Sequence, residues 1–136
     1  NTAGCGPAHR ATPLAGFTNI STHELVSLAR QEAKITHYHD DAGNGSAIVI
    51  LICRYLLEGN SYQDAQKLIS KNVELKESWT KITKASLNPD GYIFNVIHSA
   101  LHFIDNNKSL EDTFKFAGKA NYCPIIFSVI NACIFS

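Results

Sequence analysis

The sequence predicts an all-α protein, on three observations. Apolar residues recur three and four apart along several stretches. Ser, Asp or Pro stands at the start of those stretches and Gly at the end of one. No apolar–polar alternation of strand length occurs in the 136 residues.

The elements follow in order. Residues 1–19, with Gly4, Gly6, Pro7, Pro13 and Gly16, read as an irregular loop. Ser21-Thr22-His23-Glu24 has the capping-box form and starts a helix running to about His37, with Leu25, Leu28, Ala29, Glu32 and Ile35 along one stripe. Asp40 and Asp41 open a second helix, at the end where the macrodipole favours negative charge. Its residues Ala47, Ile48, Leu51, Ile52, Tyr55 and Leu56 cover most of the circumference, so it is central, and Gly59 stops it. Ser61-Tyr62-Gln63-Asp64 starts a third, apolar at Ala65, Leu68 and Ile69. Residues 72–91 are polar, with Trp79 as the one large anchor and Asn88-Pro89-Asp90-Gly91 as a turn. Tyr92 to Asp105 is an amphipathic helix with Ile93, Val96, Ile97, Ala100, Leu101 and Ile104 inward. Ser109-Leu110-Glu111-Asp112 caps the next, and Pro124 begins the last, Ile125 to Phe135, expected to be buried on several faces.

Zero net charge and 45% apolar residues fit one domain burying ~65–70% of its unfolded surface. They give no electrostatic reason for a nucleic acid or an anionic membrane as partner. The run Ala47 to Leu57 contains Arg54 and falls short of the ~20 apolar residues of a membrane span. The four cysteines form no CxxC pair. Cys53 and Cys133 lie in apolar runs and read as small core residues, which points to an intracellular, reducing compartment. The chain has no methionine, so a segment before Asn1 is expected.

Three groups have chemical capacity. In the opening loop, Gly4, Cys5 and Gly6 let backbone approach a phosphate, and Arg10 adds a cationic fork; taken alone, the same residues read more readily as a plain surface loop with an ordinary Arg. Thr36-His37-Tyr38-His39-Asp40-Asp41 puts two imidazoles and two carboxylates at a helix junction. They suit a metal or a sugar hydroxyl, or else a helix end facing its dipole with the Asp pair capping the next helix. His98 and His102, four apart, share a helix face, but no HExxH glutamate accompanies them, and they read as core-edge histidines. Cys5 and Cys123 would be nucleophiles only beside a histidine.

Gly4-Cys5-Gly6-Pro7-Ala8-His9-Arg10-Ala11-Thr12-Pro13-Leu14, then Ile35-Thr36-His37-Tyr38-His39-Asp40-Asp41-Ala42, then Tyr55-Leu56-Leu57-Glu58-Gly59, then Gly91-Tyr92-Ile93, then Ser109 to Phe116 occur in that order. This succession resembles the C-terminal half of the ADP-ribosylglycohydrolase family, which includes the J1-type crystallins. The family shows "N-G-x-x-M-R-x-x-P-L", "L-T-H-x-H-P-D-A", "L-L-E-G", "G-Y-V" and "S-F-E-E-A" at the matching places. The resemblance implies an all-α, orthogonal multi-helix bundle, here a partial one, with residues 1–136 as a single domain. It also implies that Gly4, Cys5, Gly6 and Arg10 cradle the phosphates and ribose of an ADP-ribosyl or related nucleotide group, with His37 beside it.

The departures are as informative. His9 stands for the loop's methionine and Asp40 for the proline of "H-P-D". Ala117-Gly118-Lys119-Ala120-Asn121-Tyr122 stands where the family has its "G-G-D-x-D-T" metal motif. Mg²⁺ serves the family, but it needs hard carboxylate oxygens. Lys119 and Asn121 do not supply them, so no cofactor and no metal site is expected. Ala120-Asn121-Tyr122-Cys123-Pro124 resembles a divergent, bacterial-type branch. The family's N-terminal half is not in the sequence. The expectation is a domain with a degenerate metal site, without metal-dependent hydrolase activity by itself. It retains an ADP-ribose-like cleft or serves as a structural or interaction subunit, with a protein partner or the missing half beside it. The alternative is an active divergent hydrolase of N- or O-glycosidic ADP-ribosyl bonds, completed by that half and using His37, His39, Asp40, Asp41, Asn121 and Cys123.

Overall fold

A computed structural model describes residues 3–88, 90–118 and 124–136. The described residues form α1 (Gly6–Arg10), a 3-10 turn (Thr12–Gly16), α2 (Thr22–Ala33), α3 (Asp40–Leu57), α4 (Tyr62–Lys71), α5 (Lys76–Thr83), α6 (Ile93–Asp105), α7 (Leu110–Ala117) and α8 (Ile125–Ile134). The architecture is all-α. The one extended pairing among the described residues is an isolated antiparallel bridge between Gly4 and Tyr92.

Because α3 is apolar nearly all round, it becomes the axis. Ile48, Val49, Ile50, Leu51, Ile52 and Cys53 are all buried, and α1, α2, α4, α5, α6 and α8 pack on it. Close approach to α6 depends on Gly45, since a Cβ there would collide with Ile93 Cγ1, on a side chain that is itself fully buried. Gly45→Val should therefore overpack this crossing and lower stability by about 1–3 kcal/mol. A drop in the urea midpoint with an unchanged slope would show it.

The caps explain the boundaries. Ser21 Oγ accepts from Glu24 N at 3.2 Å, and Ser61 Oγ from Asp64 N at 3.1 Å. At α7 the box is complete: Ser109 Oγ accepts from Asp112 N, and Asp112 Oδ2 accepts from Ser109 N at 2.9 Å. Those bonds to its charged form hold the Asp112 carboxyl below its ordinary value. Gly59 ends α3 with φ of 97°.

Four expectations are corrected. Residues 1–19 are not irregular throughout, because Pro7 and Pro13 each start a short helical turn at a position that needs no N–H donor. The second correction concerns α2, which stops at Ala33, and residues 34–37 continue as turns, closed by His37 N donating to Ala33 O at 2.8 Å. Residues 76–83 form a helix, α5, because Leu75, Trp79 and Ile82 fall on one inward stripe within the polar stretch. Finally, among the described residues α8 is fully buried only at Ile126, Phe127 and Ile130, on one side, with Pro124 as its cap. Ile125 and the following Phe135 are exposed. The predicted turn at 88–91 includes residue 89, outside the described residues; beside it Asp90 Oδ1 accepts from Tyr92 N at 3.1 Å.

Arg54, the polar interruption of the α3 apolar run, is buried and donates to the carbonyls of Ala15 (3.1 Å), Ile20 (2.8 Å) and Phe17. It pins the end of the 3-10 turn and the following loop to the axis. Among the described residues no helix is long and apolar enough to cross a membrane.

Candidate functional site

Three segments distant in sequence meet at one end of α3. The opening loop is tied to the start of α6: Ile93 N donates to Ala3 O at 2.9 Å, and Gly4 bridges Tyr92. Its continuation, α1, is tied to α3 by Ser46 Oγ donating to Pro7 O at 3.3 Å. The turn after α2 then lays the His37 ring directly on the loop.

This contact explains the two glycines. A Cβ at Gly4 would stand 3.3 Å from His37 Nε2, and one at Gly6 would stand 3.3 Å from His37 Cε1. A side chain at either position would press the imidazole back by a few tenths of an ångström. The other ring nitrogen, Nδ1, lies 2.8 Å from Thr36 Oγ1. When the Thr36 hydroxyl donates to Nδ1, the neutral ring carries its proton on Nε2, the atom nearest Gly4.

On the α3 side, the His39 ring caps the helix, its Nδ1 accepting from Asp41 N at 3.1 Å. The Asp pair therefore occupies the first turn rather than the cap itself. Asp41 Oδ2 accepts from Tyr92 OH at 2.8 Å and lies 3.6 Å from His39 Nδ1. Tyr92 thus joins the loop, by its backbone, to the start of α3, by its hydroxyl. Sequence reading placed Tyr92 only as the start of a helix, since nothing local signals a partner 51 residues away.

Burial first, then the Asp41 hydrogen bond and the charges of Asp41 and Asp90, push the Tyr92 phenol from 10.0 up to about 12. A phenol raised in this way contributes its stabilisation fully below pH 10.0 and loses it as pH climbs through about 12. Tyr92→Phe should delete a late step from the alkaline tyrosinate absorbance titration. It should also flatten the fall of the urea midpoint over that interval.

On the flank of His37 lies a cavity of about 210 Å³, lined among others by Arg30, Lys34, His37, His39, Asp40 and Asn44. Arg30 is already committed: it donates to Asn44 Oδ1 at 2.8 Å, Glu74 Oε2 at 3.2 Å and Glu74 O at 3.0 Å. Basic groups and a histidine around a small polar cavity suit a phosphate oxygen or a ribose hydroxyl.

The predicted residues therefore divide. Gly4, Gly6, His37, His39, Asp40 and Asp41 come together in one region, and Cys5 lies between the two glycines at the cap of α1. Arg10 is held elsewhere, its Nε donating to Glu32 Oε2 at 2.5 Å and a terminal nitrogen to Glu32 O at 3.2 Å. The pairing turns that edge of the guanidinium toward Glu32 and leaves the other terminal nitrogen without a bond to Glu32. Asn121 and Cys123, with Lys119, lie outside the described residues. His98 is half-buried, with Nδ1 2.9 Å from Ile82 O, and the His102 ring packs edge-on against Phe103.

Residues 119–123, where the family's metal motif falls, lie outside the described residues. Among the described residues no group of three or more His, Cys, Asp or Glu side chains gathers as a metal cage. Asp41 already serves Tyr92 and lies beside His39.

The sequence model of one family, described as ADP-ribosylglycohydrolase, matches residues 1–121. No curated protein and no solved structure matches the chain.

Proposed function

The chain belongs to the ADP-ribosylglycohydrolase family, and from that premise we propose that it keeps part of a cleft for an ADP-ribosyl or related nucleotide group without metal-dependent hydrolase activity of its own. The observation that carries this reading is the His37 ring lying on Gly4 and Gly6. Side-chain-free backbone beside an imidazole edge gives phosphate oxygens access to main-chain donors and a ring donor together.

The size of the cavity bears on completeness. About 210 Å³ lies below the ~300–1,000 Å³ of a full small-molecule pocket. It suits a phosphate–ribose fragment rather than a whole dinucleotide. Exposed Leu110 and Phe114 on α7, with Ile125 and Phe135 at the ends of α8, support a further role as an interaction subunit. The degenerate metal site rests on Lys119 and Asn121 standing where the family motif has aspartates.

Incubation with an ADP-ribosylated peptide and Mg²⁺ tests the inactive half of the reading. The expected result is no release of ADP-ribose above the buffer rate. Metal-dependent release by the isolated chain would overturn it. The second reading, an active divergent hydrolase completed by an N-terminal half, draws on the Tyr92–Asp41–His39 arrangement, which orients a carboxylate at the start of α3, next to Asp40 of the cavity wall. Release that appears only when that half is added would favour it.

A further inference from the structure

Asn44 lines the cavity beside His37 and lies just past the first turn of α3. Its neighbour Gly43 lets α2 cross closely at that point, since a Cβ on Gly43 would stand 3.1 Å from Arg30 Cα. The crossing brings the Arg30 guanidinium to the Asn44 carboxamide, and Arg30 Nε donates to Asn44 Oδ1 at 2.8 Å. Glu74 holds the rest of the guanidinium, its carboxylate accepting from Nη1 at 3.2 Å and its carbonyl from Nη2 at 3.0 Å. Glu74 is anchored in turn. Its backbone N–H donates to Asn72 Oδ1 at 2.9 Å, and its other carboxylate oxygen lies 2.7 Å from His23 Nδ1.

This chain of bonds fixes which way the amide faces. A guanidinium has donors only, so it meets the oxygen of a carboxamide and never its nitrogen. With Oδ1 turned to Arg30, the Asn44 amide nitrogen keeps two N–H donors that bond to no protein group among the described residues. Lys34, exposed at the same cavity, also forms no ion pair among the described residues.

We propose that Asn44 is a specificity-determining residue of the cavity, its amide N–H group donating to a phosphate oxygen of the ligand while Lys34 supplies positive charge. This rests on the reading of the cavity as part of an ADP-ribosyl or related nucleotide cleft. Arg30 and Glu74 are positioning residues, because each Arg30 nitrogen already has a protein partner. Asp40, the carboxylate of the cavity wall, repels phosphate and suits a ribose hydroxyl instead. The amide therefore selects a ligand that presents an acceptor, since one presenting only donors leaves both sides unpaired.

The test follows the Asn44 side-chain amide signals by nitrogen–proton NMR in the intact chain, with Asn44→Asp assigning them by their loss. ADP-ribose, inorganic pyrophosphate and adenosine are titrated separately. The signals should move with the first two and not with adenosine, and Arg30→Lys should displace them before any ligand is added. By calorimetry, Asn44→Asp should bind ADP-ribose about tenfold more weakly or worse, since two donors to an anion become a like charge. Its thermal midpoint should stay at or above that of the parent chain, because the new carboxylate still accepts from Arg30. A merely structural asparagine would not separate affinity from stability in this way. Unchanged affinity in Asn44→Asp, or signals moved by adenosine alone, would overturn the proposal. The cleft reading would still stand in that case if His37→Ala weakens ADP-ribose binding. No response to ADP-ribose or pyrophosphate would overturn both.

Discussion

Arg54→Leu should destabilise the chain by about 3–5 kcal/mol, a large part of the ~5–15 kcal/mol that holds a typical domain together. The guanidinium sits within the core and has the carbonyls of Ala15, Phe17 and Ile20 as its partners. Leucine fills part of the volume but takes the donor from the Ala15 and Ile20 carbonyls, while Phe17 O keeps its backbone bond from Ile20 N, and each buried unpaired acceptor costs ~1–3 kcal/mol unless water reaches it. Arg54→Lys keeps the charge but offers it as a single point rather than a fork, so it should recover only part of the loss. Urea unfolding followed by Trp79 fluorescence reads both variants. A loss under about 1 kcal/mol for the leucine variant would mean that the loop at 15–20 relaxes and hydrates without cost.

His37→Ala should weaken ADP-ribose binding about tenfold or more, equivalent to at least ~1.4 kcal/mol, while leaving stability nearly unchanged. The ring is only partly buried, and its contacts are with Gly4, Gly6 and Thr36 rather than with the central core. Its removal takes away a donor at the loop and leaves a gap beside the cavity. Gly6→Val provides the complementary change. It keeps the imidazole but pushes it aside, since even a Cβ there stands 3.3 Å from Cε1. Both variants should lose affinity by calorimetry, and equal affinity in all three proteins would place any ligand away from this loop.

Much of the helical framework was legible because its signals are local. Ser21, Ser61 and Ser109 cap as their sequence context predicts, Gly59 takes the left-handed turn, and the all-round apolar character of residues 47–57 marks α3 as the axis. The failures have physical causes. Lys76, Glu77, Lys81 and Lys84 hid the sparse inward stripe of Leu75, Trp79 and Ile82 within a polar stretch. In α8 the composition is apolar all round, yet only one face finds a partner among the described residues, and composition does not count partners. Prolines at 7 and 13 read as breakers but act as starters.

The site was legible as residues but not as geometry. Motif resemblance put Gly4, Gly6 and His37 on the list, and they do meet. Arg10 is a different case, because its pairing with Glu32 is set by how α1 lies on α2. Tyr92 reaches Asp41 only through the packing of α6 on α3.

The most direct measurement of the central claim is calorimetric titration of the chain with ADP-ribose, with and without Mg²⁺. The account predicts binding that does not depend on magnesium and is lost or much weakened in His37→Ala. Binding that requires magnesium, or no heat at millimolar ADP-ribose, would contradict it.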